Sequence, residues 1–217
     1  VEANNKYTIT PASLTINIDG SRIYGDSNDT SDYNYSAASG LKTWDQTKFN
    51  NVGWDGLTVN NTSDVLDDVN SYTGKLSLDA TSKNTVSTGL TNNYNITYTD
   101  SFAINKADLT YVAKGTRVYG EANSTTGKDY SFTFDGLKNG QTIDGDKLTV
   151  TNNTSIQANA GSNQTVASAS GFNASGSTGF KESNYNISTV EANNKYTITP
   201  ASLTINIDGS RIYGDSN

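Results

Sequence analysis

Cysteine, methionine and histidine are all missing from this sequence, and proline occurs only twice. Without cysteine there is no disulfide, no thiolate nucleophile and no cysteine-based zinc site. Without histidine the commonest acid–base group and metal ligand is gone. The loss of both sulfur residues leaves little for oxidants to attack, which suits a protein that persists outside a cell. Long apolar runs are missing too: none approaches the roughly 20 residues of a spanning helix, so membrane insertion is not expected. The 15 Lys and Arg are scattered through a chain of net charge −7. Binding to nucleic acid or to an anionic membrane surface needs clustered basic residues, so neither partner is expected. Val1 opens directly into polar sequence with no signal-peptide pattern, and the chain reads as a piece of something larger.

Hydrophobic residues make up 33% and charged residues 17%. The first figure is low for a globular chain even after glycine is added. The second argues against the highly charged kind of disorder. Asn, Thr, Ser and Gly fill the difference, and these suit strand surfaces and turns better than helices.

The dominant signal is a repeat. Val1–Asn28 recurs letter for letter at Val190–Asn217, 189 residues later. Identity over that length indicates recent tandem duplication. A weaker repeat lies inside the period: Leu109-Thr110-Tyr111-Val112 through Asn123 echoes Leu14-Thr15-Ile16-Asn17 through Asn28. Gly40-Leu41-Lys42 matches Gly136-Leu137-Lys138, and Asn93-Tyr94-Asn95-Ile96 matches Asn184-Tyr185-Asn186-Ile187. The expected organisation is two diverged modules, 12–107 and 107–201. Residues 1–11 match the last strand of a preceding module and 202–217 the start of a following one. Each module is of ordinary domain size and too long for one solenoid turn, so the array is expected to be elongated, like beads on a string.

Period-2 alternation dominates each module. Leu14-Thr-Ile16-Asn-Ile18 predicts a half-buried strand, Asp19-Gly20 a turn, and Arg22-Ile23-Tyr24 a second short strand. Further strands are expected at Tyr33–Tyr35, Leu57–Val59, Tyr72–Leu78, Tyr94–Tyr98 and Phe102–Ile104. In the second module they are expected at Tyr130–Phe134, Leu148–Val150, Tyr185–Ile187 and Tyr196–Ile198. The result is a mostly β fold of about seven or eight short strands per module. One short helix per module is allowed, in the first module at Trp44–Phe49 or Ser63–Asn70.

Each module opens with Ala-x-Leu-Thr, continues to Arg-(Ile/Val)-Tyr-Gly-(Asp/Glu)-x-Asn, and closes with Asn-Tyr-Asn-Ile and a last strand. This pattern resembles the mostly-β-grasp (MBG) module of the YGX type, found in tandem in surface adhesins of lactobacilli and related Gram-positive bacteria. The resemblance covers nearly the whole chain. It implies β-grasp-like modules, a cell-wall-anchored parent and an extracellular location on the bacterial surface. It carries no binding residues. The chain departs from the family in lacking a proline shortly after Tyr-Gly, and the first module has a Trp-bearing insertion.

That insertion holds the candidate ligand-binding residues. Trp44 and Trp54 flank a polar stretch containing Asp45 and Asn50. Exposed aromatics beside such groups suit sugar stacking and hydrogen bonding. The competing reading is that both Trp build the core. Tyr24-Gly25, Tyr119-Gly120 and Tyr213-Gly214 read as structural, with Tyr packed at the sheet end and Gly in a left-handed turn. Asp64, Asp67 and Asp68, and Asp144 and Asp146, are too few for a calcium loop and read as solvated turns. Lys, Asn and Asp are plentiful enough to allow an internal Lys–Asn cross-link, with no motif for one. No metal, cofactor or catalytic group is expected, and the chain is not expected to be an enzyme. Three functions fit: a stalk that projects a distal binding domain, direct multivalent binding of host mucin, glycan, extracellular matrix or exopolysaccharide, and cell–cell aggregation through sheet edges.

Overall fold

The computed structural model describes residues 6–28, 32–166, 168–173, 178–190 and 193–216. The protein is mostly β. It divides into two compact units: Val1–Leu109 with Gly136–Gly140 and Lys181–Asn186, and Thr110–Asp135 with Gln141–Phe180 and Ile187–Asn217.

In chain order the first strands are β1 (Ala12–Ile23), β2 (Asp32–Ser39), β3 (Val59–Asn61), β4 (Asn70–Tyr72), β5 (Leu76–Leu78) and β6 (Tyr94–Asn105). Two helices join them, α1 (Gln46–Asn50) and α2 (Ala80–Gly89). The main sheet has the order β2-β1-β6-β4, and β3 and β5 form a separate pair. β1 is antiparallel to β2 and parallel to β6, in register from Ala12 opposite Tyr94 to Ile23 opposite Asn105. Leu14, Ile16 and Ile18 lie on the buried face of β1, each contributing about 1.5–3 kcal/mol through burial. Thr15, Asn17 and Asp19 lie on the other face and hydrogen-bond to Thr97, Thr99 and Ser101 of β6, a polar cross-strand ladder.

β1 and β6 are each one long strand where the alternation predicts two short ones. Asp19-Gly20 does not turn, because full-length pairing with β6 carries the chain straight through it. Gly20 is needed for space: a Cβ there would sit 2.8 Å from the Tyr33 ring and 3.2 Å from Phe102. Conversely, the Tyr72–Leu78 run breaks into β4 and β5 at Gly74, whose φ is +74°. The strands after Leu57 and Leu148 begin later than the alternation predicts, at Val59 and Thr149. α1 falls in the 44–49 window, while 63–70 holds turns. α2 lies where no helix was expected.

The remaining strands are β7 (Ala107–Val118), β8 (Tyr130–Asp135), β9 (Thr149–Thr151), β10 (Gly161–Thr165), β11 (Ser168–Ser170), β12 (Tyr185–Thr189) and β13 (Lys195–Thr199). Their sheet has the order β10-β13-β7-β12, with β8 also on β7, and β9 pairs with β11. β13 runs parallel to β7 and β8 antiparallel to it. Tyr130 and Tyr196 stack inside the second unit with ring centroids 5.7 Å apart, and burial pushes the Tyr196 phenol up to about 12. Six strands thus belong to the first sequence repeat and seven to the second, among the described residues. No α-helix occurs in the second repeat among those residues.

The duplicated ends adopt different structures. Tyr196 and Ile198 are buried in β13, while the identical Tyr7 and Ile9 are 90% and 84% exposed. Leu14, Ile16 and Ile18 are buried in β1, while Leu203, Ile205 and Ile207 are 84%, 74% and 91% exposed. Residues 6–11 and 202–216, expected to be strands, form none. Alternation marks a segment that is able to be a strand, but the strand forms only where neighbouring strands meet its backbone groups.

Candidate functional site

The insertion after β2 starts with a 3-10 turn, Thr43–Asp45, and continues into α1. Phe49 and Val52 are buried and anchor it. Trp44 projects from the turn and is 77% exposed. It borders a groove of about 430 Å³ lined by Pro11, Ala12, Asp45, Asn92, Asn93 and Tyr94, among others. The exposed indole and the Asn92 and Asn93 amides supply the stacking face and the polar partners a sugar ring requires.

The four candidate residues do not converge on one site. Trp44 and Asp45 line the groove. Trp54 is half-buried, stacks on Tyr35 at 4.8 Å, and its indole N–H donates to the Phe49 carbonyl at 2.8 Å. Trp54 therefore serves as packing under the insertion. Asn50 is exposed at the end of α1 and accepts a 2.9 Å hydrogen bond from Gln46. The Asp45 carboxylate is buried, accepting from the Tyr94 hydroxyl at 2.8 Å and pairing with Lys48 at 2.8 Å. Lys48 first, and Tyr94 second, hold its carboxyl below the usual range. Asp45 is thus a brace beneath Trp44.

The recurrent motif is built into the fold chiefly through its Arg and Asn. Arg22 is buried, donating from Nε to Asn28 Oδ1 at 3.1 Å and from its terminal nitrogens to the carbonyls of Ile23, Val65 and Asp64. Asn28 donates to the Ser63 carbonyl at 2.8 Å. The second unit repeats the arrangement. Arg117 donates to Asn123 at 2.9 Å and to the Ser155 carbonyl at 2.7 Å, and Asn123 donates to the carbonyls of Asn152 and Thr154. Each Arg–Asn pair clasps the loop after a short strand by donating to its backbone carbonyls, several of which also accept a backbone N–H. The fixed six-residue spacing from Arg to Asn was the available signal. Gly25 and Gly120 take φ of +79° and +85°, as a left-handed turn requires. Tyr24 is buried against Tyr185, with centroids 5.5 Å apart, whereas Tyr119 is 43% exposed.

The acidic residues are tied to turns and lysines. Asp67 pairs with Lys75 at 2.8 Å and Asp68 with Lys181 at 2.7 Å. Asp144 accepts from the Asp146 N–H at 3.1 Å. Among the described residues no group of three or more carboxylates is arranged to hold a metal ion. Asp68 also accepts from Asn184 at 3.0 Å, bringing Lys, Asp and Asn together. Hydrogen bonding to Asp68 raises Lys181, as expected of an exposed ion pair.

No protein-family model matches the chain, and comparison with curated proteins and with solved structures returns no significant match.

Proposed function

We propose that this chain is the non-catalytic repeat region of a secreted bacterial cell-surface adhesin, whose MBG-type modules act as a stalk that projects a distal binding domain. One observation carries the reading. The motif that recurs in both repeats, Arg-(Ile/Val)-Tyr-Gly-x-x-Asn, is engaged in holding each fold together through Arg22 with Asn28 and Arg117 with Asn123. What duplication preserved is a scaffold and not a reactive site. The sheet order β2-β1-β6-β4, with its first and last long strands parallel, supports a β-grasp-like module. The test is to join one, two and three copies of the 189-residue period and measure their maximum dimension by small-angle X-ray scattering. A stalk lengthens by a constant increment per copy, and a dimension that fails to rise with copy number sinks the proposal.

A second reading has its own support in Trp44, a large apolar side chain left exposed beside a groove with amide groups on its rim. In that reading the repeat also holds a neutral glycan. A glycan array probed with the chain and with Trp44→Ala decides it. Selective binding lost in the variant supports the groove, and equal binding by both removes it.

A further inference from the structure

The second unit carries a different groove, open and about 450 Å³, on the outer face of β7, β8 and β13. Three lysines line it: Lys114 on β7, Lys195 on β13 and Lys128 on the turn before β8. Among the described residues none of the three lies within ion-pair distance of a carboxylate. The four lysines that do are Lys48, Lys75, Lys138 and Lys181. Three lysines without a carboxylate partner among the described residues line one groove of a chain whose net charge is −7.

Their placement is not incidental to the strand pattern. Tyr196 pairs with Gly115, so Lys195 and Lys114 precede the same rung on neighbouring parallel strands. Like charges side by side on a sheet destabilise it unless something lies between them. In the first unit the equivalent rung holds Asp19 and Ser101, which hydrogen-bond to each other. The two repeats share a scaffold and diverge here from a self-satisfied pair to two free cations.

We propose that Lys114, Lys128 and Lys195 form a binding groove for an acidic saccharide, a sugar chain carrying carboxylate or sulfate groups. The ammonium groups meet the acid groups as charge-assisted donors. Thr116, Ser131 and Thr197 on the same lining offer hydroxyls to ring oxygens and hydroxyls, and the Asp129 carboxylate accepts from sugar hydroxyls. Asp129 would repel a ligand that is anionic at every unit, such as a nucleic acid backbone, and favours one in which acid and hydroxyl groups alternate. An open groove lets a long chain pass across it, and weak single sites then gain strength from repetition. The site is in the other unit from Trp44 and does not depend on the stalk reading.

The test uses the whole isotope-labelled chain, titrated in an NMR experiment with four probes. They are a chondroitin sulfate hexasaccharide, the unsulfated chondroitin hexasaccharide, neutral maltohexaose and the oligonucleotide dT6. The groove predicts saturable shifts at Thr116, Ser131 and Thr197 with at least one acidic saccharide. Binding should weaken about tenfold in Lys114→Gln/Lys195→Gln and be unchanged in Lys83→Gln, which lies on α2. Binding of both acidic saccharides would mean that carboxylate suffices, and binding of the sulfated one alone would assign sulfate. If the double variant loses its native spectrum, Lys128→Gln, outside the strands, takes its place. No shift with either acidic saccharide at millimolar concentration, equal binding by the variant, or equal binding of maltohexaose or dT6 would overturn the proposal.

Discussion

At the scale of single residues, the side chains that matter most are polar and buried. Arg22 and Arg117 are nearly inaccessible, and among the described residues their hydrogen bonds go to carbonyls and to one asparagine each. Asn28 both orients Arg22 and holds the Ser63 carbonyl, so Asn28→Ala leaves donors and acceptors unpaired. We expect a loss of about 2 kcal/mol from the first unit, measured by chemical denaturation. Both tryptophans lie in that unit, so fluorescence follows it selectively. Asn123→Ala should leave the fluorescence transition in place while lowering that seen by circular dichroism. Acid acts on the same unit. Lys48 and Tyr94 lower Asp45, Lys75 lowers Asp67, and Asn184 and Lys181 lower Asp68. A carboxyl whose folded-state pKa is lowered stabilises the fold above its ordinary value and loses that contribution as pH falls through the lowered one. The midpoint of the fluorescence transition should therefore be flat near neutrality and drop below about pH 4. Asp45→Asn should flatten that drop, and an unchanged acid limb would count against the brace.

At the scale of elements, the chain contains its own control. Ile16 and Ile205 occupy the same place in identical 28-residue sequences, one buried in β1 and the other 74% exposed in a segment that is not a strand. Ile16→Ala should cost about 2–5 kcal/mol. Ile205→Ala should fall within about 0.5 kcal/mol of zero. Equal effects would mean that the two segments share one environment. The pair also explains which parts of the fold were legible. Alternation at Leu14, Ile16 and Ile18 located β1, but the strand's length came from β6, a partner some 82 residues away in register. Asp19-Gly20 has turn chemistry, and only the Tyr33 and Phe102 rings that crowd Gly20 show why glycine is there. α2 was hidden because Thr, Ser, Asn and Gly are poor helix formers. It stands on the Asp79 cap, which accepts from the Ser82 N–H at 2.7 Å, and on the burial of Val86 and Leu90. Of the candidate site, only the choice between a stacking role and a core role was legible for the two tryptophans. The division of labour between Trp44 and Trp54 was not, because it depends on Tyr35 stacking on only one of them.

At the scale of the whole molecule, the question is what a repeat needs in order to complete a module. Residues 201–212 have the sequence of β1 and none of its partners, and Leu203, Ile205 and Ile207 remain in water. β1 itself is held by two neighbours, β2 along Thr15–Ser21 and β6 along its full length. If tertiary partners are all that the second copy lacks, appending residues 29–105 again after Asn217 should supply them. The added stretch carries its own β2 and β6 sequences, along with the Ser63 and Asp64 carbonyls that the Arg22–Asn28 clasp holds. Arg211 and Asn217 stand at the positions of that clasp. The expected outcome is strong amide-exchange protection across 201–212 in the extended chain and almost none in the present one. Arg211→Ala, harmless in the present chain, should then become destabilising. Protection that fails to appear would mean that a strand of this sequence requires more than β2 and β6 beside it.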